Sequence, residues 1–329
     1  MNTITSNKQY FNDISVLRVM AMLMVVFYHC LCPYSIWDGT NYFIGFHVTA
    51  WDMIDGMLLH VHLPIFFLIS GFLFGVKRNV GGYNDVSKFI QGKVLRVLVP
   101  YIIVGIFLCI LQQRDFTQMM DGISHLWFLL VIFECYMLGK LLEGILWMSD
   151  KKKKMLIAIA VIFFLLLSHR FYAIHVLGIS RLMIYFPYYF IGMLICKVDF
   201  SGLRNFRKCQ LSLILLLVAL FALEHIFFSK RLLTAALGMC IVFSTFSYFR
   251  SLDIKSLPGW VKSLDKCSMG IYIVHHILIQ EINGVTCFYD MAVTHYYIYP
   301  ITQFLVITML SWGFVALCRK SKYSKYILG

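Results

Sequence analysis

The stretch "LRVMAMLMVVFYHC" (Leu17–Cys30) is apolar enough to cross a bilayer, yet it holds Arg18 and His29. An arginine inside a membrane is expensive and normally faces the bundle interior, where it holds a partner or a ligand. The two residues are eleven positions apart. On a helix that spacing is three turns plus about 20°, with a rise of about 16 Å. Both side chains therefore share one face, with Met22 and Val25 between them. One end of that face carries a cation whose fork suits phosphate and carboxylate. The other end carries an imidazole that gains and loses a proton near neutral pH. The duller alternative has Arg18 snorkelling to one surface and His29 resting at the other. Two such groups on one face argue against it.

The rest of the chain has the same character. It has 329 residues, 60% of them hydrophobic, a mean hydropathy of +0.78 and 14% charged residues. A soluble domain carries about 25% charged residues. Runs long enough to span the hydrocarbon recur throughout. They lie near 13–31, 59–76, 94–112, 125–146, 155–169, 182–196, 210–228, 232–249, 267–284 and 296–318. The predicted fold is all-α, a polytopic membrane bundle of about ten helices. It forms one membrane-embedded domain over 1–329, with no separate soluble domain.

Alternating the spans from an inner N-terminus puts nearly every cation on the inner side. Only Arg114, Arg170, Arg181, Lys230 and Arg231 fall outside, while Arg18 and Lys140 lie within spans. That is the positive-inside pattern, and it puts both termini in the cytoplasm. Orientation explains the net charge of +13, so nucleic acid is not an expected partner. The run Lys151–Lys154 is read as a topology anchor or a headgroup contact. The first run has no A-x-A-like cleavage site and is expected to be retained. The ten cysteines have no paired spacing and read as small apolar residues, with no metal site and no Gly-rich phosphate loop. Residues 32–58 read as an outer loop. Its Trp37, Asp38, Trp51, Asp52 and Asp55 suit a sugar surface or an interfacial tryptophan belt.

Six stretches together resemble one family. "DISVLRVMAMLMVVFYHC" (Asp13–Cys30) is similar to the opening Arg-x10-His stretch of the integral-membrane acyltransferases, the acyltransferase-three family of bacterial sugar O-acyltransferases. "LPIFFLISGFLFG" (Leu63–Gly75), "KVLRVLVPY" (Lys93–Tyr101) and "HLWFLL" (His125–Leu130) resemble its next three elements. "YFPYYFIGMLI" (Tyr185–Ile195) and "KCSMGIYIVHH" (Lys266–His276) resemble two later ones. The resemblance implies transfer of an acyl group, usually acetyl, from cytoplasmic acyl-CoA to a hydroxyl of a cell-surface or lipid-linked saccharide. It implies a multi-pass protein of the bacterial inner membrane, with acyl-CoA as donor substrate and no permanently bound cofactor. The expected partners are acyl-CoA, a saccharide or glycolipid acceptor, and the lipid bilayer. Larger members carry an extra esterase-like domain, which this chain is expected to do without.

By that resemblance Arg18 and His29 are the catalytic pair. Arg18, Lys93 and Arg96 suit the phosphate-rich head of acyl-CoA, and its thin arm would thread the bundle toward His29. There His29 acts as general base on the acceptor hydroxyl or carries the acyl group itself. Ser268, Tyr272 and His275 fall on one helix face and either line the acyl path or join helices. Ser70, beside Gly71, permits close packing or takes a direct part. His125 and Trp127 hold the acceptor or belong to an aromatic belt. Glu134 departs from the family pattern and is a functional-site hypothesis by its position in a span, with Lys140 as a weak partner. The competing class is a transporter or flippase for a saccharide or lipid intermediate. The lack of a two-half repeat counts against it.

Overall fold

The apolar run around Leu17 is helix α1 (Asn12–Leu31), buried on almost every side. A helix that is apolar all round belongs inside a bundle, and α1 is the axis of this one. The computed structural model describes residues 11–34, 47–167, 176–228 and 230–328, and no strand occurs among them. Lys8, Trp37, Asp38 and Arg170 lie outside the described residues.

The helices that follow are α2 (Thr49–Leu59), α3 (His62–Asn79), α4 (Val86–Lys93), α5 (Val99–Leu111), α6 (Trp127–Leu141) and α7 (Asp150–Leu167). Then come α8 (Ile179–Leu194), α9 (Arg207–Phe227), α10 (Arg231–Ser251), α11 (Gly259–Asn283), α12 (Thr286–Thr294) and α13 (Tyr299–Cys318). Each apolar run expected to span coincides with a helix. Seven described segments are long and apolar enough to cross a membrane. Three of the expected spans fall outside that set for visible reasons. Helix α7 opens on four lysines, and α8 is 16 residues long. Helix α11 is 25 residues long but carries His275, His276, Gln280 and Glu281. The polarity that sets α11 apart is the site described below.

One expectation needs correction. The outer loop drawn over 32–58 is partly helix, because α2 occupies Thr49–Leu59. Trp51, Asp55 and Leu58 form its buried face. The Trp51 indole N–H donates to the Tyr296 carbonyl at 2.8 Å, so this tryptophan is tied into the bundle.

Two cores meet along α1. Ile14, Leu17, Ala21 and Val25 belong to one apolar cluster with side chains of α3, α6 and α8. Val19, Met22, Val26 and Cys30 pack with α11 and α13. Helices α3 and α8 cross at Gly71 and Gly192. A Cβ on Gly71 would lie 1.8 Å from the Tyr189 carbonyl oxygen, and one on Gly192 would lie 2.2 Å from that of Leu68. Small residues at a membrane crossing let two backbones touch in this way. Between α4 and α5 the chain makes one π-helical turn (Val94–Leu98), in which Val99 N–H bonds back to Val94. Pro100, which lacks an N–H, follows at once.

Candidate active site

Helices α1 and α11 lie side by side and point the same way, joined at two rungs. At the first rung Arg18 Nε and Nη2 donate to Asp265 Oδ1 and Oδ2 at 2.6 and 2.8 Å. Asp265 is 3% exposed and Arg18 30%. Eleven residues along α1 is His29, and ten residues along α11 is His275, whose Nε2 lies 3.1 Å from His29 Nδ1. Equal rise per residue keeps two parallel helices in step, so the Arg18–His29 spacing reappears as Asp265 to His275 and His276.

The contacts assign the ring protons. A carbonyl oxygen only accepts, and His275 Nδ1 lies 3.0 Å from the Ile271 carbonyl. His275 therefore carries its proton on Nδ1, and its Nε2 is a lone pair. His29 Nδ1 lies 2.9 Å from the Val25 carbonyl. That nitrogen is also an N–H, shared between Val25 and His275. The remaining nitrogen of His29, Nε2, holds the lone pair. His275 thus faces the side of His29 where charge collects once Nε2 takes a proton. A base held by a second group that fixes its tautomer and supports its cation is the logic of a catalytic triad.

Three more imidazoles surround this pair. His276 lies 4.7 Å from His29 between ring centroids, and His125 stacks on His276 at 4.6 Å. His125 Nε2 donates to the Ile273 carbonyl at 3.0 Å, and the Tyr272 hydroxyl donates to the His125 carbonyl. His62, at the start of α3, donates from Nδ1 to the Leu58 carbonyl. The Tyr28 ring stands between it and His29, 4.8 Å from His62 and 5.1 Å from His29. All five histidines are buried. Among the described residues no group of three or more His, Cys, Asp or Glu is placed to hold a metal ion.

A buried base with an oriented second histidine, inside an all-helical membrane bundle, suits group transfer. Comparison with known proteins decides the family. The family described as "Acyltransferase domain" matches residues 11–320. The chain belongs to the acyltransferase-three family. It is a membrane acyltransferase and a multi-pass integral membrane protein, and the transporter reading gives way. No curated protein and no solved structure matches it.

In this acyltransferase the expected site residues divide into two groups. His29, His125, Tyr272 and His275 come together. Ser268 is buried nearby, but its hydroxyl donates to the Asp265 carbonyl of its own helix at 2.9 Å. Trp127 packs at 5.3 Å on Tyr185, and the Arg181 guanidinium lies 5.0 Å over its ring. Ser70 is half-buried beside the Gly71 crossing. Glu134 is not paired with Lys140, which instead donates to Glu143 at 2.8 Å and to the Tyr83 carbonyl. The Glu134 carboxylate lies near Gly178, and its Oε2 is buried without a hydrogen-bond partner among the described residues. Lys93 and Arg96 occupy another corner. The Lys93 ammonium sits 3.2 Å from the centroid of Tyr136. Arg96 is exposed and lines a pocket of about 300 Å³ with Lys88 and Tyr326.

Sequence reasoning missed Asp265, His276, His62 and Tyr28. A signal existed for two of them. Asp265 and His276 repeat the eleven-residue interval of Arg18 and His29. His62 carries no such mark, since only the packing of α3 against α1 brings it near, and Tyr28 adjoins His29 in sequence without any spacing that marks it.

Proposed function

We propose that this acyltransferase moves an acyl group, acetyl in the simplest case, from acyl-CoA to a hydroxyl of a cell-surface or lipid-linked saccharide. We place it in the inner membrane of a bacterium, with both chain ends in the cytoplasm. The observation that carries the reading is the His29–His275 pair, which leaves His29 Nε2 as an oriented base inside the bundle.

In the proposed reaction His29 Nε2 takes the proton of the acceptor hydroxyl as that oxygen attacks the thioester carbonyl. The carbon–sulfur bond then breaks, and the proton passes from His29 to the departing thiolate. The products are the ester and free CoA, and His29 returns to neutral. His275 Nε2 accepts from His29 Nδ1–H throughout and supports the transient imidazolium. General-base catalysis of this kind contributes about 10²–10⁴-fold.

The donor head needs cations on the cytoplasmic side. Arg18 is bound to Asp265 through Nε and Nη2, which would leave its Nη1 to donate to an anion. Lys93 and Arg96 would hold other phosphates, as point charge and fork respectively. From Arg18 to His29 is about 16 Å along α1, a span for a thin arm laid beside the helix.

The test uses inside-out membrane vesicles containing the protein and acetyl-CoA labelled on the acetyl group. Label is expected in membrane glycan with wild type and is expected to vanish with His29→Ala at matched expression. Failure of wild type to label glycan from acetyl-CoA or any longer acyl-CoA overturns the reading.

A further inference from the structure

Buried polar side-chain atoms are nearly always hydrogen-bonded. Three atoms beside the histidine cluster have no such partner among the described residues: Nδ1 of His125, Nδ1 of His276 and Oε1 of Gln112. They lie together. Tyr272, His276 and Gln280 follow at four-residue intervals on α11, a stripe that climbs about 6 Å per step. At the first step the Tyr272 hydroxyl meets His125. At the second the His276 ring stacks on His125. At the third Gln280 Oε1 accepts from Gln112 Nε2 at 2.5 Å, which bridges α11 to the end of α5. His125 and His276 are 5% and 7% exposed, so bulk water does not readily satisfy them.

The chemistry of the missing partner can be read from these atoms. His125 spends its Nε2 hydrogen on the Ile273 carbonyl, so its Nδ1 is a lone pair. Gln112 Oε1 is an acceptor by nature. At least two of the three atoms therefore need a donor. A carboxylate or phosphate brings acceptors only. A ring of hydroxyl groups brings several hydrogens at spaced positions.

We infer that this stripe is the acceptor subsite and that it binds a saccharide ring through its hydroxyl groups. The inference rests on the acyltransferase reading above and adds the residues that hold the acceptor. Gln112 takes a hydroxyl at the end of the stripe away from Tyr272. His125 and His276 take those at the other end. The His276 ring is 4.7 Å from that of His29, so a hydroxyl held there lies beside the base. His276 and His125 touch the substrate, and the Gln112–Gln280 pair sets which ring fits.

The test places the full chain in nanodiscs with labelled acetyl-CoA and titrates octyl β-glucoside as acceptor, with octyl phosphate as the acceptor-only control. The variant is Gln112→Leu/Gln280→Leu, apolar on both sides so that no new orphan arises. The half-saturating octyl glucoside concentration is expected to rise about fivefold to tenfold. The half-saturating acetyl-CoA concentration is expected to stay put, and octyl phosphate is expected not to compete. If the double variant does not run as one gel-filtration peak, Gln112→Met/Gln280→Met takes its place. An unmoved octyl glucoside titration in the variant overturns the inference. So does competition by octyl phosphate as strong as by the glucoside, or an octyl glucoside that neither accepts label nor competes with host glycan. Wild-type vesicles that label no glycan at all would instead remove the acyltransferase reading, and the vesicle assay reports that separately.

Discussion

His275→Leu tests whether the second histidine acts through the first. His275 is 0% exposed, and leucine fills nearly the same space, so little cavity opens. The Ile271 carbonyl that accepts from His275 Nδ1 also lies four residues before position 275, where the helix ladder supplies a backbone N–H. No buried group is stranded, and the variant is expected to fold. What it loses is the 3.1 Å contact with His29 Nδ1. In the resting enzyme that contact joins two neutral rings. Once His29 takes a proton it becomes a charge-assisted hydrogen bond of about 1.5–3 kcal/mol. The loss is felt in the transition state, so kcat is expected to fall about 10- to 100-fold with KM for acyl-CoA unmoved. His29→Ala is expected to cost more, about 10²–10⁴-fold. The double variant should cost no more than His29→Ala alone, because His275 has nothing left to support. Initial rates of label transfer in nanodiscs measure all three. A loss below threefold for His275→Leu, or additive losses in the double variant, would refute the dyad.

Other consequences are open to measurement. Asp265→Ala leaves the Arg18 guanidinium half-buried without its carboxylate and is expected to cost about 1–3 kcal/mol after allowance for Arg18's exposure. Arg18→Ala/Asp265→Ala is expected to melt above Asp265→Ala alone, as read by fluorescence-detected gel filtration after heating. Gly71→Ala puts a methyl group 1.8 Å from the Tyr189 carbonyl oxygen and is expected to abolish a monodisperse peak. Asp85 caps α4 by accepting from Lys88 N–H at 3.0 Å. That bond and the Lys88 ammonium hold its carboxyl below the usual range. The cap is therefore intact above the ordinary carboxyl pKa of about 3.9 and is lost as pH falls through the lower folded value. Hydrogen exchange at the Lys88 amide is expected to quicken below about pH 4 in wild type, and Asp85→Asn is expected to lose that pH dependence.

Much of the fold is written in apolar run length, which is why each expected span meets a helix. The exceptions have physical causes. Residues 49–58 mix tryptophan with acids and read as loop, yet Trp51, Asp55 and Leu58 repeat at helical spacing and are buried together. At the site, single-helix periodicity went far. Placing Arg18 and His29 on one face of α1 holds, and so does grouping Tyr272 with His275 on α11. It could not say what stands opposite. Asp265 sits near the start of α11, where a lone acid reads as solvated, and only the parallel packing of α1 turns it toward Arg18. His276 continues the four-residue stripe of Ser268 and Tyr272, but its role emerges only from the rings of His29 and His125. Ser268 shares that stripe but satisfies itself on its own backbone, an outcome spacing alone does not reveal.

The two rungs between α1 and α11 make a length standard from segments more than 240 positions apart in the chain. One residue added between Arg18 and His29 would lift His29 by about 1.5 Å and swing it by about 100°. It would then face away from His275 while Arg18 stayed bound. An insertion at the matching place between Asp265 and His275 restores both joints together. The distance from cation to base can therefore change only when both helices change by the same amount. If the donor lies between Arg18 and His29 as proposed, its reach is graduated on two helices at once, and neither can be recut alone.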